Sequence, residues 1–132
     1  MSRISSPRFA FYAENARWLG AGFLLTFASS FGQTFFISLF AGEIQAAYGL
    51  SDGGWGTLYT IATVASAASL FAFGAVADRV RLDRLALGVI AAYAAVALAM
   101  AAGSGSLVLL CLLVYGLRLC GQGMMSHMAL TA

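Results

Sequence analysis

The chain has 132 residues, of which 61% are hydrophobic and only 9% charged, and its formal net charge is +2. Soluble domains average about 45–50% apolar and about 25% charged residues, and a soluble fold this small has too much surface for its volume to hide so much apolar material. The composition therefore excludes an ordinary soluble domain and predicts a partnership with the lipid bilayer. The small charge gives no indication of nucleic-acid binding.

Four apolar runs follow one another along the chain. About 20 consecutive apolar residues cross a bilayer, and continuous runs differ from the alternating strands of a membrane barrel. We therefore predict an all-α membrane protein with an N-terminal segment 1–17 and a four-helix transmembrane region 18–132. The predicted transmembrane helices are 18–48, 55–77, 85–102 and 107–132.

The arginines are distributed unevenly between the two sides of these predicted helices. Six of them lie either before the first helix or between the second and third, at Arg3, Arg8, Arg17, Arg79, Arg81 and Arg84. Positive residues mark cytoplasmic segments, so the pattern predicts a multi-pass protein of the cell (inner) membrane with a cytoplasmic N-terminus. Trp55 and Tyr59 lie near a span end, as aromatic residues at the membrane interface do.

Small residues recur at four-residue spacing on two of the predicted helices. The third helix carries such a stripe at Ala91, Ala95 and Ala99, and the second carries Ala62 and Ser66. Small side chains allow helix backbones to approach closely in lipid. The stripes predict helix–helix contacts, although an alanine-rich helix also produces such patterns by chance.

A Gly-Gln pair occurs in both the first and the fourth helix, as Gly32-Gln33 and as Gly121-Gln122. In each case large apolar residues follow after a gap. A shared pattern in helices that enter from opposite sides indicates an inverted three-helix repeat, or else coincidence in a glycine-rich chain. The amides of Gln33 and Gln122 need polar partners, which either a neighbouring helix or a watery cavity provides.

The end of the second helix carries the spacing Gly-x-x-x-Asp-Arg, at Gly74, Asp78 and Arg79. It resembles the signature of the major facilitator superfamily in the loop between helices two and three. The tail departs from that signature, because Arg81 stands at a family glycine and only Arg84 follows as a further basic residue. The resemblance implies that these five residues form a cytoplasmic gating motif. The alternative is a loop that merely sets topology.

The fourth helix resembles a second family pattern, Arg-x-x-Gln-Gly, through Arg118, with Gln122 and Gly123 one residue late. Arg118 lies about 16 Å into its helix, where a charge costs ~2.5–3.5 kcal/mol. It must therefore face protein or water. Glu43 is the nearest acid by type, although it lies toward the outer end of the first helix. The resemblance implies a role in proton or substrate coupling, and the alternative is a snorkelling side chain.

These resemblances cover helices one to four of a twelve-helix pattern and imply an incomplete, MFS-like N-terminal bundle. We expect part of a secondary transporter of small solutes, working by alternating access together with the remaining helices of a longer transporter. On this view the chain alone does not transport, is not an enzyme and has no cofactor or metal.

Two other functions remain open. One is a self-contained dimeric transporter of the small multidrug resistance type, although the glutamate that such proteins have in the middle of the first helix is absent here. The other is a non-transporting membrane assembly subunit.

Overall fold

The computed structural model describes residues 7–77, 79–103 and 105–125. In these ranges the chain is helical apart from short connections, and none of the described residues forms a β-strand. The elements are α1 Pro7–Glu14, α2 Ala16–Ser29, a 3₁₀ turn Ser30–Gly32, α3 Thr34–Leu39, α4 Ala41–Tyr48, α5 Asp52–Ala77, α6 Leu82–Ala101, α7 Leu107–Leu117 and a π-helical segment Arg118–Met125.

Within the described residues, three stretches are long and apolar enough to cross a bilayer: Asp52–Phe73, Asp83–Ala101 and Leu107–Met125. They correspond to the second, third and fourth predicted spans, so the chain is a helical membrane protein. Helix α5 begins at Asp52 rather than at residue 55, because the Ser51 hydroxyl accepts a hydrogen bond from the Gly54 amide at 3.1 Å. Such an N-terminal cap satisfies an amide that the helix itself leaves unpaired.

The prediction of one continuous helix over 18–48 is wrong. Helical structure begins earlier, and the run is then interrupted at Gln33, whose backbone is extended (φ −83°, ψ 157°), and again at Phe40 (φ −100°, ψ 2°). Just before the first break, the hydroxyls of Ser29 and Ser30 donate to the carbonyl of Thr26 at 2.7 and 3.3 Å. Serine bonds of this kind bend helices, and Gly-Ser combinations are common kink sites.

The fourth apolar run forms the centre of the bundle. In an 18-residue apolar window of Leu107–Met125, 50% of the residues are buried, against 11% in the corresponding window of each of the other two candidate spans. Helix α7 packs against α5 and α6, and the π-helical segment also contacts α2 and the 3₁₀ turn. The central position explains how this stretch keeps an arginine away from lipid.

The two small-residue stripes have different outcomes. On α5, Ala62 and Ser66 are buried, as predicted. On α6, the predicted stripe at Ala91, Ala95 and Ala99 is exposed, so its predicted helix contact is wrong within the described structure. Helix α6 instead buries larger apolar side chains, namely Val89 and Tyr93, together with the half-buried Val96 and Met100. The small partner is on α7, where Gly116 faces Val96.

Candidate functional site

The first and fourth apolar runs cross in backbone contact at the two Gly-Gln pairs. A Cβ atom built on Gly32 would lie 2.5 Å from the carbonyl oxygen of Leu117 and 2.9 Å from the Cα of Gly121. A Cβ atom on Gly121 would likewise lie 2.9 Å from the Cα of Gly32. Real Cβ atoms do not approach other atoms so closely, so only glycine fits at both positions. The residues matched by the sequence repeat therefore touch.

Regular α-helix is absent on both sides of this crossing. Gly32 ends the 3₁₀ turn and precedes the extended Gln33, whereas Gly121 lies within the π-helical segment that begins at Arg118. π-Helical turns are rare and are found frequently at functional sites. The crossing therefore combines two departures from the α-helix at one place in the bundle.

Arg118 lies beside the crossing and is 8% exposed. Its Nη1 donates hydrogen bonds to the hydroxyl of Thr34 at 2.8 Å and to the hydroxyl of Tyr59 at 2.6 Å. The same two hydroxyls are 3.0 Å apart and hydrogen-bonded, with Tyr59 donating to Thr34. The guanidinium carbon also stands 5.1 Å from the centre of the Tyr59 ring, within cation–π range. We call Thr34, Tyr59 and Arg118 the arginine cluster.

The arginine cluster leaves polar capacity unused. Arg118 Nε is buried and has no hydrogen-bond partner among the described residues. The hydroxyls of Thr63 and Tyr93 are in the same condition. Thr63 stands one helical turn from Tyr59 on α5, while Tyr93 approaches the glycine crossing, 3.0 Å from where a Cβ of Gly121 would be. Because buried polar groups are nearly always paired, these three atoms have hydrogen-bonding capacity that the described residues do not use.

No acid neutralises Arg118 within the described structure, where the ion pair found is Arg81 with Asp83 at 3.1 Å. Glu43, the acid considered from sequence, is exposed in the first turn of α4 and is not a partner of Arg118. The described acids lie at or near helix ends, at Glu14, Glu43, Asp52 and Asp83. Among the described residues, the partners of the buried charge are two hydroxyls and an aromatic ring.

The two glutamines flank the crossing without entering the core. Gln33 is half-buried at the break in the first run, and Gln122 is exposed on the π-helical segment. Their amides therefore differ in environment even though the glycines before them meet. A shared cavity for the two side chains stays a prediction.

The residues predicted as a gating motif lie around the connection between α5 and α6. Gly74 is in the last turn of α5, and Arg79 and Arg84 are exposed, whereas Asp78 lies outside the described residues. Arg81 precedes α6 and makes two hydrogen bonds to the carboxylate of Asp83, at 3.1 and 3.2 Å. Among the described residues, Arg81 is thus paired with Asp83, which lies in the part of the motif that differs from the family signature.

Sequence reasoning missed Thr34 and Tyr59 as partners of Arg118. Tyr59 is not simply an interface aromatic, because it shares the inward face of α5 with Ala62 and Ser66. That spacing was visible in the sequence and was a usable signal. For Thr34 no such signal existed, since the break at Gln33 determines where its hydroxyl lies.

No protein-family model, curated protein or solved structure matches this chain.

Proposed function

We propose that this chain is part of a secondary active transporter of small solutes that works by alternating access. The observation that supports this best is the crossing of two interrupted helices beside the buried Arg118. Transporters commonly build their binding sites near the bilayer midplane from discontinuous helices. Non-helical backbone at membrane depth is tolerated where protein buries it or a watery cavity reaches it.

The proposal includes the interrupted first run as a fourth span and a relationship to the major facilitator superfamily. The contact between Gly32 and Gly121 supports the inverted repeat. Two elements related by a pseudo-twofold axis contact each other through equivalent residues where they cross that axis, and these two glycines are equivalent in the repeat. The spacing of Gly74, Asp78 and Arg79 supports the family relationship. The arginine cluster then lies at about half depth, since Arg118 is about 16 Å along its helix.

Gradient-driven uptake tests the proposal directly. The protein, produced from its complete coding sequence, is placed in membrane vesicles with an imposed proton or sodium gradient. Radiolabelled acetate, alanine, glucose, phosphate and tetraphenylphosphonium are offered separately, covering anionic, zwitterionic, neutral and cationic solutes. We expect uncoupler-sensitive accumulation of at least one class above vesicles without the protein. Accumulation of none of them would overturn the proposal.

The orientation gives a first prediction. With Cys111 and Cys120 replaced by serine, a cysteine at Gly105 should react with an impermeant maleimide added outside intact cells, whereas a cysteine at Val80 should not. Val80 is exposed, and a Cβ at Gly105 meets no atom within 4 Å, so both positions accept the change. After permeabilisation both should react. If only the Val80→Cys variant is labelled in intact cells, the orientation is the opposite of the predicted one.

The gating motif gives a second prediction. An acid just after the C-terminus of α5 opposes the helix dipole and needs positive partners. In the complete protein, Asp78→Asn should slow transport by roughly tenfold, equivalent to about 1.4 kcal/mol, at unchanged membrane abundance. Asp83→Asn, which removes the exposed partner of Arg81, serves as the matched control and should slow it less. If Asp78→Asn and the unaltered protein transport at equal rates, the motif has no gating role and serves only to set the topology.

A further inference from the structure

The charge of the arginine cluster points to the ligand that it takes. A guanidinium has five N–H donors and accepts no hydrogen bonds. Here Nη1 supplies both observed bonds, and Nε is buried without a partner among the described residues. A buried charge requires pairing to offset its desolvation. Whatever completes this site must carry negative charge or at least accept hydrogen bonds.

The hydroxyl groups of Thr34 and Tyr59 also indicate that the partner of the cluster accepts hydrogen bonds. Thr34 accepts one hydrogen bond from Arg118 and one from Tyr59, which uses both of its lone pairs. Tyr59 accepts from Arg118 and spends its own proton on Thr34. The hydroxyl proton of Thr34 therefore remains to be donated, as does the N–H at Arg118 Nε. Apart from one lone pair on the Tyr59 oxygen, the groups left unused are N–H and O–H donors, so a partner that engages Thr34 and Arg118 Nε must be an acceptor.

The amount of charge limits the class of ligand further. The arginine cluster holds a single positive charge, and none of the described acids forms an ion pair with it. One negative charge neutralises it, whereas a dianion would bury an excess charge at considerable cost. The planar fork of a guanidinium matches a carboxylate with two parallel bonds.

We propose that Thr34, Tyr59 and Arg118 bind the carboxylate of a small monoanionic solute. Arg118 supplies the positive charge, and the two hydroxyls position its guanidinium. If the chain belongs to a transporter, as proposed above, this solute is its substrate, and in that respect the inference rests on the proposed function. Binding itself is an equilibrium property of the arginine cluster and needs no gradient.

Trp55 reports on this site, because its ring centroid is 5.9 Å from that of Tyr59. In a Trp18→Phe background, Trp55 is the remaining tryptophan. The purified chain in detergent is heated while Trp55 fluorescence follows unfolding, with acetate, propionate or phosphate titrated at constant ionic strength in sodium chloride. Acetamide is the neutral counterpart of acetate. A ligand that binds only the folded state raises the unfolding temperature with ligand concentration.

We expect acetate and propionate to raise the unfolding midpoint saturably, and acetamide and chloride to leave it unchanged. Phosphate, mostly a dianion at pH 8, should bind at least about tenfold more weakly than acetate, which corresponds to 1.4 kcal/mol. Tyr59→Phe and Thr34→Val should each weaken acetate binding by about tenfold, and Arg118→Met should abolish it. Tyr115→Phe is the matched control, since its hydroxyl bonds Ser69 at 2.8 Å instead.

Three results would overturn the inference: no shift with either carboxylate, an equal shift with acetamide, or unchanged acetate binding by Arg118→Met. Each variant's own unfolding transition shows that it folds, so a misfolded variant is not mistaken for a non-binding one. Uptake of glucose or tetraphenylphosphonium without carboxylate binding would reject this inference and keep the transporter. Carboxylate binding without any gradient-driven uptake would support the inference and reject the transporter.

Discussion

Gly32→Ala is expected to destabilise the bundle more than any other single methyl addition in the first apolar run. The added Cβ would stand 2.5 Å from the carbonyl oxygen of Leu117 and 2.9 Å from the Cα of Gly121. Both are backbone atoms, so no side-chain rotation relieves the clash and the two helices must separate. Overpacking of a closely packed interior costs about 1–3 kcal/mol, and we expect the upper end of that range.

The measurement is the free energy of unfolding in mixed micelles as the mole fraction of a denaturing detergent increases. Gly20→Ala, in α2 of the same run, is the matched control because its Cβ meets nothing within 4 Å. Alanine is the better helix former by about 1 kcal/mol, so Gly20→Ala should be neutral or stabilising. Equal stabilities for Gly32→Ala and the unaltered chain would show that the helices do not cross at these glycines.

The reciprocal change sharpens the test. Gly121→Ala meets the Cα of Gly32 at 2.9 Å and the Tyr93 hydroxyl at 3.0 Å, so it should also destabilise the chain. Once one methyl group has forced the helices apart, the second has less contact left to disrupt. The double variant should therefore lose less stability than the two single losses added together. Strict additivity would indicate two independent sites and contradict the crossing.

The sequence predicted the helical membrane class because the length and continuity of apolar runs alone set it. Three predicted spans correspond to helices that are long and apolar enough. Their starts shift by a few residues because caps such as the Ser51–Gly54 bond depend on local geometry. The break at Gln33 was harder to foresee, because serine hydroxyls bond back to their own helix in many unbroken helices. The break directly follows Gly32, whose contact in the crossing is Gly121, 89 residues away in the chain.

The site was predictable in part. A charge in mid-membrane was expected to face protein or water, and Arg118 is buried by protein. Its partner was not predicted, because no acid is clearly placed in mid-membrane and Glu43, the nearest acid by type, lies toward the outer end of the first helix. The observed partners are hydroxyls from residues 84 and 59 positions away along the chain. Sequence spacing within one helix cannot reveal them, since they become neighbours only when three separate elements pack together.

Arg118→Met is expected to lower the initial transport rate by more than about tenfold, a change of at least about 1.4 kcal/mol, without lowering membrane abundance. Methionine is unbranched and apolar, and it fills irregular gaps. Replacing a buried charge by an apolar side chain is often neutral or stabilising, and here it also removes the cost of inserting a charge. Loss of transport together with retained insertion would therefore separate function from folding.

Arg118→Lys distinguishes charge from geometry at the same position. Lysine keeps the positive charge but has a single side-chain nitrogen and no planar fork. It therefore cannot bond Thr34 and Tyr59 through one nitrogen and present a second nitrogen to a ligand, as Arg118 can. We expect the lysine variant to retain little activity, closer to the methionine variant than to the unaltered protein. Arg17→Met, which removes an exposed arginine from α2, is the matched control and should transport normally. If Arg118→Met transports at the normal rate per molecule in the membrane, the buried guanidinium has no part in the transport cycle.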